Sequence, residues 1–311
     1  SANHNVTVDA TVPVVTINTI AGDDVINATE HGQAQIISGS ATGAAAGDKV
    51  TVSIGGKDYT TVLDAAGNWS VGVPASVISA LSDGKVTVSV SVTDAAGNTG
   101  SGTHDVTVET GLPSLNFDAI SGDNVLNAVE KGQDLSVSGT SANLSAGTTV
   151  TVTLNGKQYT ATTAADGSWS LTVPAADLAA LGEANYTLSA NATNGVGNSV
   201  SNTAELLVDT ALPTVTVNTV AGDNIINAAE VAAGQTITGR VANAEAGNTV
   251  TVTIGGKTYT TTVQSDLSWS VKVPSDVLTA LGNGSLSVTA TVTNGHGNTG
   301  SGEREISIDA N

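Results

Sequence analysis

One ten-residue stretch recurs at an interval of 100 residues, and that period limits what the chain can fold into. Ala21-Gly22-Asp23-Asp24-Val25-Ile26-Asn27-Ala28-Thr29-Glu30 returns with its Asp, Asn and Glu unchanged as Asp123, Asn127 and Glu130, and again as Asp223, Asn227 and Glu230. Lys57, Tyr59, Trp69, Pro74 and Leu81 keep the same interval through both later copies. A chain of 311 residues with this period is read as three domains, spanning 11–110, 111–210 and 211–311. Residues 1–10 are read as the last strand of a preceding, truncated repeat. The reason is that His4-Asn5-Val6-Thr7-Val8-Asp9 aligns with His104-Asp105-Val106-Thr107-Val108-Glu109.

A unit of that size buries an adequate core without staples, as it must, since the chain has no cysteine. With three Trp, four Tyr and one Phe, the cores fall to Val, Ile, Leu and Ala. Val- and Thr-rich alternation with abundant Gly indicates strands rather than helices. In the first unit, strands are expected at 14–19, 35–40, 49–54, 59–63, 69–73, 85–93 and 105–109. Gly55-Gly56 suits a tight hairpin turn that needs positive φ. Val77 and Leu81, four apart within 74–84, suggest a short helical crossover. Seven short strands with regular turn signals form the pattern of an immunoglobulin-like sandwich. The expected fold is therefore all-β: three tandem immunoglobulin-like β-sandwich domains. The connections at 109–113 and 209–213 are short and end in proline, so the sandwiches are expected to form an extended rod.

Charge narrows the function. Acidic residues outnumber basic ones 28 to 9, a net of −19, which excludes nucleic acid as a partner and disfavours an anionic membrane surface. No apolar run reaches the length of a membrane span, and no signal peptide opens the chain. With no methionine anywhere, the chain is read as a segment of something longer.

The topology of such a sandwich places the acidic loop at the end where the last strand leaves. Asp23 and Glu30 should approach Glu109; Asp123 and Glu130 should approach Asp209; Asp223 and Glu230 should approach Asp309. The following unit presents its own loops to the same junction: Asn194 and Asn198 at the first, Asn294 and Asn298 at the second. Asp94 and Asn98 would face Asp9. Clustered oxygen donors of this kind, with Asn27, Asn127 and Asn227 between the carboxylates, suit Ca²⁺ better than Mg²⁺. A second reading uses the same residues for local capping. Asn27-Ala28-Thr29-Glu30 is a capping-box pattern, and Asp23 can close an Asx-turn. The second carboxylate at each strand end is something that capping does not need. Both readings can hold together.

Trp69, Trp169 and Trp269 alternate in phase with Val71, Leu171 and Val271, which assigns them to the core rather than to sugar stacking. The histidines occupy mostly unmatched positions, and no nucleophile elbow, cysteine nucleophile or phosphate loop is present. No enzymatic activity is expected.

These motifs resemble the bacterial Ig-like repeats of giant surface adhesins exported by type I secretion. The resemblance rests on the G-D-x-[IV]-[IL]-N-A-x-E loop, the G-K-x-Y hairpin, the W-S-[VL]-x-V-P strand, the [DN]-x-x-G-N loop and the [DE]-[TA]-x-x-P linker. It implies a secreted, cell-surface stalk, stiffened by Ca²⁺ near its junctions, that projects an adhesive region towards host cells. It also implies that the partners are neighbouring repeats of the same monomeric chain, and that other parts of the full protein meet a host cell-surface ligand. Glu109 stands where the other copies have Asp, and Asn194 and Asn294 stand where the first has Asp94, so those junctions should bind differently. The alternative is direct recognition of a host glycan or receptor through the divergent loops 40–48, 140–148 and 240–248.

Overall fold

The computed structural model describes residues 4–311; residues 1–3 of the expected leading strand lie outside the described part, and residues 4–13 take no regular structure. From Val14 onward the first repeat contains β1 (Val14–Ile17), β2 (Val25–Asn27), α1 (Ala28–His31), β3 (Gln35–Thr42) and β4 (Lys49–Ile54). It continues with β5 (Lys57–Val62), β6 (Asn68–Val73), α2 (Ala75–Ile78), β7 (Gly84–Thr93) and β8 (Thr99–Glu109). The next two repeats run through the same order, with a 3₁₀ turn, Glu130–Gly132, in place of α1 in the second.

Each repeat is a two-layer sandwich. A three-stranded sheet ordered β1-β3-β6 faces a five-stranded sheet ordered β2-β8-β7-β4-β5. Alternation decides which side chains point inward: Val50, Val52 and Ile54 of β4 are buried, while Thr51 and Ser53 between them are partly exposed. Ile37 and Trp69 from the small sheet meet Val88, Val90 and Val106 from the large one in a core confined to that repeat. The other two repeats have separate cores of the same composition. Gly55 and Gly56 take φ of 58° and 73°, so the β4–β5 hairpin has the positive-φ turn that its sequence requires.

The three tryptophans are 3%, 2% and 1% exposed, as expected of core residues. Each lies against a glycine on the neighbouring strand. A Cβ on Gly139 would sit 2.5 Å from Trp169 Cζ2 and 1.8 Å from the Asn116 carbonyl oxygen. The indole therefore packs directly on main chain, a close approach that only glycine permits.

Beyond residues 4–13, where the expected leading strand finds no sheet to pair with, the structure departs from the expected strand pattern in two places. The last strand begins at Thr99 rather than at residue 105. Its Gly-Ser start looks like a loop in sequence, but a Cβ on Gly100 would be 1.8 Å from the Pro13 carbonyl oxygen, so the glycine lets β1 cross close by. The acidic loop also contains an eighth strand. β2 pairs in parallel with the end of β8, placing Val25 opposite Thr107, Ile26 opposite Val108 and Asn27 opposite Glu109. Ile26 is fully buried and holds this pairing in register. A parallel pairing between distant segments leaves no local sequence signature.

Replacing Gly139 by alanine should destabilise the second repeat by about 1–3 kcal/mol, since neither the carbonyl nor the indole can withdraw freely. Gly72→Ala, where an added Cβ meets nothing within 4 Å, should be neutral or stabilising. Urea denaturation midpoints would separate the two.

Candidate functional site at the repeat junctions

The exit end of each repeat is built from the acidic loop. Asp24, Asn124 and Asn224 hold φ of 63°, 65° and 67°, a left-handed conformation that Asp and Asn tolerate better than other side chains. Their Oδ1 atoms accept the backbone N–H of Ile20 (2.8 Å), Ile120 (2.9 Å) and Val220 (3.0 Å), closing the turn. Asp23 Oδ1 accepts the Val25 N–H at 3.0 Å, and Asp123 and Asp223 do the same for Val125 and Ile225. The Asx-turn reading of these aspartates is therefore what the structure contains.

The capping reading is present as well. Asn27 Oδ1 accepts the N–H groups of Thr29 and Glu30, and Glu30 Oε2 accepts the Asn27 N–H at 3.1 Å. Two of the first amide donors of α1 are thereby satisfied within the repeat. The Ala28 N–H, the first of the helix, is not. Its acceptor comes from the next repeat: Asn198 Oδ1, at 2.7 Å. The same amide group turns its Nδ2 to the carbonyls of Glu109 (2.9 Å) and Gly111 (3.3 Å) in the linker. One side chain thus ties the helix start of one repeat to the linker and to the loop of the next.

The second junction is built alike. Asn298 Oδ1 accepts the Ala128 N–H at 2.8 Å, and its Nδ2 donates to the Asp209 carbonyl at 2.8 Å. Burial follows occupancy. Asn198 and Asn298 are 2% and 1% exposed, whereas Asn98, which reaches only the Asp9 carbonyl and its own Asp94, is half-buried. At the other end, Asn227 and Ala228 are exposed, while Asn27 and Ala28 under the Asn198 loop are half-buried. Gly197 and Gly297 complete the fit. With φ of 85° and 81°, each would place a Cβ about 3 Å from Asn27 Nδ2 (3.1 Å) or Asn127 Nδ2 (2.9 Å).

Among the expected metal-binding positions, Asn27 lies opposite Glu109 and Asn227 opposite Asp309 across the parallel pairing. The Asp209 N–H donates to the Leu126 carbonyl. The loops therefore sit beside the strand ends. Among the described residues, Asp94, Asn194 and Asn294 do not bond across the junction through their acceptor oxygens; each Oδ1 closes its own loop, onto the N–H of Asn98, Asn198 and Asn298 respectively. Among the described residues, no three Asp, Glu or His side chains converge as a metal-binding group. The donor chemistry nevertheless fits a hard cation. Asp23, Glu30 and their counterparts each commit one carboxylate oxygen to a backbone N–H, and the other oxygen accepts no hydrogen bond among the described residues. At the first junction Asp83, Glu109 and Asn194 line a common groove of about 530 Å³.

Several junction contacts were not apparent in the sequence. Asp83 Oδ1 accepts from Thr110 N–H (3.2 Å) and Oγ (2.7 Å), Glu183 takes the same two donors from Thr210, and Asn283 accepts the Ala310 N–H alone. His296 Nδ1 pairs with Asp209 Oδ2 across the second junction, where the first has Val196 and Glu109. A histidine in one loop and an aspartate 87 residues earlier give no local signal. The only available clue was the shared position of the loops at the junction.

The sequence profile described as a bacterial Ig-like domain matches residues 11–110 and 112–210. The fold is similar to a structure described under the host cell surface retention of a 1.5-MDa bacterial ice-binding adhesin. That match has 33% identity and a TM-score of 0.50, covering 97% of this chain and 99% of that one. A second similar structure is the Ca²⁺-stabilized adhesin with which an Antarctic bacterium binds ice. It is 37% identical with a TM-score of 0.50, covering 97% of this chain and 75% of the other. A single bacterial immunoglobulin-like domain from the M. primoryensis ice-binding adhesin is 45% identical over 33% of this chain and all (100%) of its own, with a TM-score of 0.27. A comparison with curated proteins found no match.

Asn198→Ala should speed hydrogen exchange at the Ala28 amide by roughly tenfold or more, the loss of one net hydrogen bond, while Thr29 and Glu30 stay protected by Asn27. Unchanged exchange at Ala28 would show that the clamp does not hold in solution. A pH dependence follows from Asp24. Its carboxyl is held below the ordinary 3.8 by the Ile20 N–H and then by His104, against the opposing effect of burial. The unfolded chain therefore takes up this proton at higher pH than the folded one, and the stabilisation is lost as pH falls below 3.8. Asp24→Asn should flatten the acid limb of the first repeat's stability, measured by denaturation between about pH 5 and about pH 2. It should still fold, because Asn124 and Asn224 make the same bond.

Proposed function

The chain belongs to the bacterial Ig-like domain family, and from that premise we propose that it is a stalk segment of a giant bacterial surface adhesin, acting outside the cell. The observation that carries this reading is the twice-built junction. A buried asparagine joins each repeat to the next, and the linker prolines Pro113 and Pro213 are themselves buried. Such connections resist bending in a way that an unpacked linker does not. The similarity to two adhesins over 97% of this chain supports the same role. In this reading the units 11–110, 111–210 and 211–311 act as spacers within one monomeric chain. Their partners are each other, while a host cell-surface ligand is met by other parts of the full protein.

Ca²⁺ supplies the second element of the proposal. The ion would draw on the uncommitted oxygens of Asp23 and Glu30, together with Asn27, Glu109 and Asn194, at the first junction. At the second it would draw on Asp123, Asn127 and Glu130 with Asp209 and Asn294. Asp223, Asn227, Glu230 and Asp309 form the corresponding set at the end of the third repeat, and Asp9 with Asp94 the set at the start of the first. Oxygen-only donors and an excess of 19 negative charges favour such an ion, and one of the similar adhesins is Ca²⁺-stabilized. Without the ion, neighbouring carboxylates repel and load the asparagine clamp; with it, the charge is neutralised and the folded, extended state gains stability by mass action.

Small-angle scattering and thermal melting, each with Ca²⁺ and with a chelator, test this. Ca²⁺ should lengthen the particle and raise the melting temperature. Asp123→Ser combined with Glu130→Ala should reduce both responses by removing the second junction's share. Identical scattering and melting in chelator would mean that the acidic loops serve only as caps, leaving the stalk to its clamps.

A further inference from the structure

The second repeat differs from its neighbours in a groove between its first strand, Ser114–Phe117, and its last, Ser199–Val208. The strand registers make His104, Ala204 and Arg304 equivalent, opposite Val88, Leu188 and Val288. In the first repeat His104 lies across this region with Nε2 2.6 Å from Asp24 Oδ1. In the third, Arg304 Nε donates to the Val217 carbonyl at 2.7 Å. Both repeats thus cover the opening with a basic side chain of their own. Ala204 cannot, and the second repeat has an open groove of about 510 Å³.

The walls differ as well. Asp118 stands where the other repeats have Asn18 and Asn218, and Asn185 stands where the first has Lys85, which pairs with Asp105 at 2.6 Å. Asn124 replaces Asp24, so one acid is lost from the turn. Asp118 and Glu205 line the groove, and no Lys, Arg or His does. Asp118 Oδ2 takes a hydrogen bond from Ser138 and Glu205 Oε1 one from Thr187; the second oxygen of each accepts none among the described residues. Phe117 replaces Ile17 and Val217, and its ring stands edge-on to Trp169 at 5.4 Å and 79°. Its carbonyl is the counterpart of the one that Arg304 bonds in the third repeat and receives no side-chain hydrogen bond among the described residues.

We propose that this groove binds a guanidinium group, the arginine side chain of a partner polypeptide, seated where the third repeat places Arg304. The acceptors suit it: a carbonyl for one N–H, two carboxylates for the planar fork, and an aromatic wall for its face. The net charge of the chain draws a basic partner toward it. The proposal is independent of Ca²⁺ at the junctions.

Titrating the full chain with N-acetyl-arginine methylamide, followed by ¹H–¹⁵N NMR, tests it. Saturable shifts are expected at Phe117, Asp118, Ala204 and Glu205, with the neutral citrulline analogue binding roughly tenfold or more weakly. Ala204→Arg should abolish the shifts by filling the groove. Asp118→Asn, which restores the residue of the other two repeats, and Glu205→Gln should each weaken binding several-fold (on the order of a single charged hydrogen bond). These two keep the test decisive should Ala204→Arg fail to fold. Absence of saturable shifts, equal binding of citrulline, or shifts unaffected by all three variants would overturn the proposal. The same residues responding to methyl glucoside but not to arginine would overturn it in favour of a saccharide site.

Discussion

A helix start leaves amide donors that its own turns cannot satisfy, and the organisation of this chain rests on how one of them is met. The capping asparagine of α1 takes two. The Ala28 N–H is left for the next repeat, and Asn198 accepts it from above. Because the asparagine amide both accepts and donates, the same group also holds the linker carbonyls. An aspartate there could accept but not donate, and a leucine could do neither. The junction is therefore specific to one residue type, although its energy is that of a few ordinary hydrogen bonds.

The chain contains its own controls for this interaction. Among the described residues, Asn198 and Asn298 face the capped loop of another repeat, whereas Asn98 faces residues 4–13, which take no regular structure. Only the first two asparagines are fully buried. The exposure of Asn227 and Ala228 gives the complementary view from below. Burial of a polar side chain is costly unless its hydrogen bonds are complete, and here completion requires the neighbour. This makes each junction a nearest-neighbour term in a linear array. The acids of the capped loop form a second layer, in which caps and turns use one oxygen of Asp23, Glu30 and their counterparts and leave the other without a hydrogen bond among the described residues.

Repetition also shows which positions are free to diverge. The tryptophan and its facing glycine stay fixed in all three copies because their contact admits no added atom. The position shared by His104, Ala204 and Arg304 lies half-buried at the edge of the core and has taken three different chemistries. Loss of a large side chain there opens a groove without disturbing the sheets, since strand pairing through the backbone continues across Ala204.

The sequence by itself determined the all-β class, the repeat of three sandwiches, the inward tryptophans, the Gly-Gly hairpin and the capped acidic loop. Each of these is set by local periodicity, by a φ that few residues adopt, or by hydrogen bonds within a few positions. It also placed the acidic loops beside the last strands, because a sandwich topology allows little else. What only the tertiary structure decided is what crosses between elements: the parallel pairing of β2 with β8, the strand start at Thr99, the His296–Asp209 contact, and the division of labour between Asn194, which closes its loop, and Asn198, which holds the neighbour. Both asparagines belong to one motif and read alike in sequence. Their roles separate because one faces its own turn and the other faces an unsatisfied amide from a distant part of the chain.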